Sequence, residues 1–421
     1  MEIARPLSAS TVLDFTAAWA GPMATRFLAF FGARVIKIEG PGKLDSWRGG
    51  YRGVSVDHFP DYDPGERPYD RNSWFNTQNH DKLSVGVNLK APGAREVLLK
   101  MAAMCDIVVA NFSPGTLAKL GLGYEDIRAV RPDVIYADMP ALGNDGPYGH
   151  HVGMGQTMEA ASGMTSLMGY GEGAPMLTGY AYLDPIGGLN GAAAVMSAVE
   201  HRRISGQGQY VEVPQVEAAM QFIGAELAAA FASGEQGHPS GNRRDGEMIH
   251  DAFPCAGQDE WVAIACGSAA EWRSLCDVVG EMPAIEACGC WARSELCAEH
   301  EELCRAAVTR WSGVQEKHQA ANILQAAGVR AAPVNNGKDL SGDPHMWARG
   351  FFTEITHPAC GTHYYPGLPQ RFSRTPGQVS QPAPRFGEHN KYVLHDLIGL
   401  NEAEIAELTR SGVIADAAVL D

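Results

Sequence analysis

The first forty residues constrain the fold more than any other stretch of the chain. Thr11-Val12-Leu13-Asp14-Phe15 is a short β-prone run, and Ala20-Gly21-Pro22 reads as a breaker. Met23 to Phe31 is a helical stretch that Gly32 is placed to stop, and Val35-Ile36-Lys37-Ile38 is a second strand. Strand, helix and strand at this spacing form a βαβ unit. Such units build parallel sheets covered by helices.

The pattern recurs downstream. Leu83 to Leu89 alternates as a strand does, and Pro92 opens a helix running to about Met104. Ile107-Val108-Val109-Ala110 and Val134-Ile135-Tyr136-Ala137 are further strands, with a helix beginning between Gly115 and Leu120. Asp184 to Arg202, rich in Gly and Ala, is a closely packed helix, and Tyr210-Val211-Glu212-Val213 is a strand. The character changes near residue 235, where Gly234 to Gly241 has the composition of a linker. Trp261 to Ala265 is a strand in the region beyond it. Tyr365 to Pro384 is rich in Pro and Gly, and is long enough to wrap over a neighbouring surface.

Bulk properties exclude several classes of function. At 421 residues, two domains are expected. A net charge of −16 argues against a nucleic-acid partner, although a local basic cluster can still hold a small anion. No run of 18 apolar residues is present, so no membrane span is expected. The opening residues lack the apolar core of a secretion signal, which makes the cytoplasm the expected address. Seven of the nine Cys lie between Cys255 and Cys304 without a C-x2-C pair. Cys290, Cys297 and Cys304 are seven residues apart, a spacing that suits one buried helix face better than a zinc cage. No metal is expected.

Specific motifs then narrow the reading. The segment VLDFTAAWAGPMATRFLAFFGARVIKIEGPG resembles the opening of the class III CoA-transferases, which include formyl-CoA transferase and the carnitine CoA-transferases. VVANFSPGTLAKLGLGYEDI, LTGYAYLDPIGGLNGAAAV and ISGQGQYVEVPQVEA continue the resemblance, and GVRAAPVNN, ARGFF and PAPRFGEH extend it towards the C-terminus. Each piece is weak alone; their shared order and spacing make the match specific.

The resemblance implies a catalytic aspartate at Asp184. Read without it, Asp184 before Pro185 and a Gly-rich helix is an N-cap. A helix N-terminus also favours the ionised carboxylate that a nucleophile needs. Coenzyme A and acyl-CoA are implied as substrates, with no permanently bound cofactor. Lys82, Asn111, Phe112, Lys119, Lys37 and Ala20 are expected along the CoA path, with Lys119 standing where relatives carry Arg. Arg48 is the stand-in for the Arg that the family places after its Ile-Lys-Ile-Glu segment. The acyl pocket is expected to include Trp19, Met154, Gln156 and Gly246. Formyl-CoA transferase has His and Gln where this chain has Ala17, Ala18 and Trp19, so an apolar wall replaces polar recognition. Met154, Met158, Met164, Met168 and Met176 form a Met stripe; if two line the pocket, the acyl group exceeds formate or oxalate in size. His150 and His151 are candidates for a second carboxylate. Gly241 to Gly246 falls where the family has a glycine-rich loop, but here the stretch is charged.

Rival readings remain open at this stage. An α-methylacyl-CoA racemase needs a partner base, and Gly153-Met154-Gly155 stands where that group carries a His. An isomerase moving CoA within one dicarboxylic molecule would use the same Asp184 chemistry. A heteromer with a related subunit is a further alternative to a homodimer. No G-x-G-x-x-G follows the first strand, which argues against a generic dinucleotide-binding domain. The expected fold is α/β: a large Rossmann-like, mostly parallel-sheet domain, a smaller α+β domain, and an interlaced dimer. Residues 1–224 would start the large domain, 225–335 form the small one, and 336–421 return to the large one. The expected activity is transfer of CoA from a donor such as succinyl-CoA to a carboxylic acid that is bulky and apolar, aryl-substituted or dicarboxylic.

Overall fold

A computed structural model of the chain describes residues 5–49, 55–170, 174–244, 246–280 and 298–419. It divides into two compact units. The first comprises Met1–Thr165, Leu177–Glu235 and Ala348–Asp421, and the second Ser166–Met176 and Gln236–Trp347.

The first unit is built on a six-stranded sheet. Its strands are β1 (Thr11–Phe15), β2 (Arg34–Glu39), β3 (Lys82–Gly86), β4 (Ile107–Ala110), β5 (Ile135–Asp138) and β6 (Gln209–Glu212). They lie in the order β3-β2-β1-β4-β5-β6, every pair parallel. Both faces of β1 are buried, and its side chains alternate between two cores. Leu13 and Phe15 pack with Ile36, Val85 and the helix α4 (Ala94–Met104) on one face. Val12 packs with Val35, Val109 and Ile135 on the other, under α1 (Ala20–Phe30) and α8 (Leu183–Ser205).

The first helix begins three residues earlier than its apolar pattern indicates. Ala20-Gly21-Pro22 is its first turn, where Pro needs no N–H donor, and Met23 N donates to Trp19 O at 2.8 Å. Gly32 ends it with a φ of 102°, a left-handed conformation that only Gly adopts without strain. Helix α8 approaches α1 through its glycines. A Cβ on Gly188 would lie 2.8 Å from Ala20 O, and one on Gly191 would lie 2.6 Å from the Met139 sulfur. The Gly-rich sequence is therefore what brings the N-termini of α1 and α8 together.

Shorter helices complete the unit: α2 (Ser46–Gly49), α3 (Ser73–Gln78), α5 (Thr116–Lys119), α6 (Tyr124–Val130), α7 (Gly155–Ala161), α9 (Gln215–Met220) and α10 (Gly224–Ser233). The Pro-rich tail packs on the same unit: Gln378 N donates to Phe30 O, and Asp81 accepts from Ser380 and Gln381.

The second unit carries the antiparallel strands β7 (Ile249–Pro254), β8 (Trp261–Cys266) and β9 (Arg330–Pro333), packed on α11 (Ala269–Val279), α12 (Ala298–Ser312) and α13 (Lys317–Ala326). Cys304 is buried on α12; Cys288, Cys290 and Cys297 lie outside the described residues. A two-stranded hairpin, β10 (Phe352–His357) and β11 (Gly361–Pro366), follows in the first unit. Among the described residues no helix is long and apolar enough to cross a membrane.

Candidate active site

In an open sheet of this order, the crossovers leave β1 and β4 in opposite directions, and a crevice opens at their carboxyl ends. The chain has locked that crevice with an amide clamp. Asn111, just past β4, accepts from Ala17 N at 2.8 Å and donates to Ala17 O at 2.9 Å. The approach requires Gly21, because a Cβ there would sit 2.4 Å from Thr16 and 2.8 Å from Asn111.

Beneath the loop of residues 16–19 lies a buried set of four charges. Asp14 accepts from Thr16 N at 2.8 Å, Thr25 Oγ1 at 2.7 Å and Lys82 Nζ at 3.1 Å. Lys37 Nζ donates to Thr16 O at 2.6 Å and pairs with Asp45 at 3.1 Å. Asp45 in turn accepts from Ala18 N at 2.9 Å and Trp47 N at 3.0 Å. Ala18 is thereby held at a φ of 61°, a strained conformation for a residue with a side chain. Burial pushes the Asp14 carboxyl up, but Lys82, Lys37 and the two threonine hydroxyls outweigh it and leave it below the usual range. Burial pulls Lys82 down to about 8, against the opposing pull of Asp14. For Lys37, burial is outweighed by Asp45, Asp14 and Glu39, and its ammonium is raised.

This corrects the expectation for three cations. Lys37 and Lys82 are buried counter-ions that shape the loop, with their ammonium groups committed inside the fold. Arg48 is fully buried, doubly bonded to Glu39 at 2.6 and 3.0 Å and bonded to Asp70 at 2.9 Å. None of the three lines the cavity described next.

Asp184 is the second residue of α8 and half-buried. It does not cap the helix: Tyr182 is the N-cap, and Asp184 N donates to Ala181 O at 3.0 Å. The backbone N–H of Ala20, the first residue of α1, acts on its carboxylate. Burial lifts the Asp184 carboxyl to about 6, and the Ala20 N–H pulls against that rise without cancelling it. The helix end was expected to hold this group ionised; loss of solvent is the larger effect here. Gly155 at the start of α7 is packed so closely that a Cβ would lie 2.5 Å from Asp184 Oδ2.

Asp184 opens into a cavity of about 670 Å³, within the size range of small-molecule sites. Ala17, Trp19, Asn111, Phe112, Met154 and Gln156 line it as well. Ala20 contributes through its backbone. Two of the five stripe methionines line it: Met154, 66% exposed, and the buried Met158. Met164 packs beside a small core, and Met168 and Met176 belong to the second unit. His151 lines the cavity; His150 is not among its walls. Lys119 is exposed at the end of α5 and Gly246 sits in the second unit at a φ of 79°; neither is among the lining residues. Trp47, Trp74, Gln78 and Gln215 are among the lining residues that the sequence did not single out. Trp47 and Trp74 sit on helices of four and six residues, too short to carry a periodic signal.

A half-buried carboxylate beside two helix N-termini, at the switch point of a doubly wound sheet, is the kind of site an α/β enzyme carries. The chain belongs to CoA-transferase family III, whose family model matches residues 7–390, and it is a transferase of that family. It is 28% identical to succinyl-CoA:glutarate CoA-transferase of Mus musculus over 97% of this chain and 90% of the relative. It is 30% identical to formyl-CoA:oxalate CoA-transferase of Rhodopseudomonas palustris over 98% of both. The crystal structure of a CAIB/BAIF family protein from Brucella suis superposes with a TM-score of 0.80 at 25% identity, covering 96% of this chain and all of that one.

Proposed function

We propose that the chain transfers CoA from a donor acyl-CoA to a carboxylic acid through covalent intermediates on Asp184. The observation that carries this reading is the carboxylate itself. It is desolvated, the Ala20 N–H offsets only part of the resulting rise in its pKa, and it faces a cavity with room for an acyl group. A carboxyl at about 6 is ionised at neutral pH yet poorly solvated, which suits a nucleophile.

The steps balance without a general base. An Asp184 oxygen attacks the thioester carbonyl, the C–S bond breaks, and CoA leaves as thiolate with an acyl-aspartyl anhydride formed. The thiolate attacks the Asp184 carboxyl carbon, releasing the donor acid as carboxylate and leaving an aspartyl-CoA thioester. The acceptor carboxylate then repeats both steps in reverse and departs as its CoA thioester. Each tetrahedral oxyanion needs N–H donors. Gly155 and Gln156, whose first-turn amides have no partner within α7, face the cavity and are our candidates. Asn111 and Phe112 are assigned to the CoA path and Lys119 to its phosphates.

The acceptor is read as larger than formate or oxalate, because Trp19, Met154 and Met158 wall the cavity. An interlaced dimer fits helix α10, which buries none of its ten residues and leaves Phe231 90% exposed. The test is intact-protein mass spectrometry after mixing with a panel of acyl-CoAs, followed by hydroxylamine trapping and peptide mapping. A hydroxamate on Asp184 with at least one acyl-CoA is expected. No adduct with any of them, together with unchanged turnover in Asp184→Ala, would sink the proposal.

A further inference from the structure

One wall of the Asp184 cavity is a row of indoles. Trp19 and Trp47 have ring centroids 5.3 Å apart at 41°, and Trp47 and Trp74 are 5.7 Å apart at 46°. His58 lies 4.4 Å from the Trp74 ring and extends the row outward. All three indoles line the cavity, and none belongs to a core cluster of the described residues. Trp74 is 39% exposed, an unusual place for the largest apolar side chain unless something covers it.

The row is held rigidly. Trp47 N is bonded to the buried Asp45, and the next residue is Arg48, fixed by Glu39, Asp70 and two backbone carbonyls. Arg48 also lies 3.5 Å over the ring of Phe75, the residue after Trp74. Trp74 N is capped by Asn72 at 3.0 Å. One buried guanidinium thus braces both short helices, which sets the spacing of the indoles before any ligand arrives. The remaining lining is largely apolar, and no Lys or Arg is among the described lining residues.

From this juxtaposition we infer that the row Trp19–Trp47–Trp74 is a specificity wall for a flat aromatic ring carried on the acyl group, so that the acid transferred is an aryl-substituted carboxylic acid. The inference rests on the reading that the cavity beside Asp184 holds the acyl moiety. Planar rings gain from tilted and edge contacts with indoles at these separations, contacts that a short alkyl chain does not offer. The adenine of CoA is the other aromatic ring that such a wall would recognise, and the test separates the two.

Binding is measured by titration calorimetry on full-length Asp184→Asn, which cannot turn over, with 3-phenylpropionyl-CoA, propionyl-CoA and free CoA as probes. The aryl thioester is expected to bind at least tenfold tighter than propionyl-CoA. Trp47→Ala and Trp74→Ala are expected to erase that gap while leaving propionyl-CoA affinity within twofold, and Trp74→Phe is expected to keep most of it. Equal affinities for the aryl and propionyl thioesters overturn the inference, and this comparison needs no Trp variant to fold. Equal losses for all three probes in the Trp variants place adenine on the wall and overturn it as well. Failure of Asp184 labelling in the trapping experiment is a separate result: it strikes the transfer chemistry and leaves the binding comparison standing.

Discussion

Replacing Asp184 by Asn should make the protein more stable at neutral pH, by an amount that depends on pH. Burial raises the carboxyl from an ordinary 3.8 to about 6. That is about two pH units at 1.36 kcal/mol each, or about 3 kcal/mol; partial exposure lowers the expected figure to about 2 kcal/mol. The sign follows from proton linkage. Below pH 3.8 the group is protonated in both folded and unfolded states and costs nothing. Between 3.8 and 6 the unfolded chain ionises first, so stability falls as pH rises. Above 6 the native state carries the full cost of a charged, desolvated carboxylate. Asn cannot ionise and still offers an oxygen to the Ala20 N–H. Urea unfolding of wild type and Asp184→Asn from pH 4 to 8 is the assay, and taking the difference cancels every other titrating group. The variant should equal wild type near pH 4 and exceed it by about 2 kcal/mol at pH 8. The same variant should lose turnover, and wild-type activity should fall about tenfold per pH unit below about 6. A stability difference that is flat across the range, or one that favours wild type at pH 8, refutes the claim that burial sets the state of this carboxyl.

Two further perturbations test the scaffold around it. At the 3.1 Å separation of Lys37 and Asp45, and an effective dielectric of about 20, the attraction is about 5 kcal/mol. Lys37→Met alone should therefore cost about 3–5 kcal/mol in denaturant unfolding, whereas Lys37→Met with Asp45→Asn should return to within about 2 kcal/mol of wild type. Additive losses in that cycle would remove the argument for a coupled pair. Gly188→Ala would push its Cβ to 2.8 Å from Ala20 O and 3.0 Å from the Met23 Cβ. It should cost about 1–3 kcal/mol and lower kcat, while Leu189→Ala at an exposed neighbouring position stays near neutral on both measures.

The parallel sheet was legible because its evidence is local. Ile107–Ala110 is apolar throughout and is buried throughout, as a strand covered on both faces must be. Asp184 stood out only through the resemblance: its own neighbours suggest a helix cap, and the close approach of α8 to α1 that its following glycines permit is a property of the fold. The cations were misread because charge type says nothing of direction. Lys37 is the register partner of Asp14 across β1 and β2, so its fate was fixed by a pairing that no single segment contains. A lysine in a strand end looks the same whether it awaits a phosphate or neutralises a buried aspartate. The indoles failed for the opposite reason. Trp47 and Trp74 are 27 residues apart on helices of four and six residues, and the buried Arg48 that braces both is a contact of the fold. What sequence periodicity reports is burial against one's own core. A side chain that faces a cavity, or a charge that serves another charge, leaves no such period. In this chain Lys37 and Lys82, expected to hold the ligand by charge, instead build the loop that precedes Ala20, and the cavity is walled largely by apolar side chains, indoles and methionines among them.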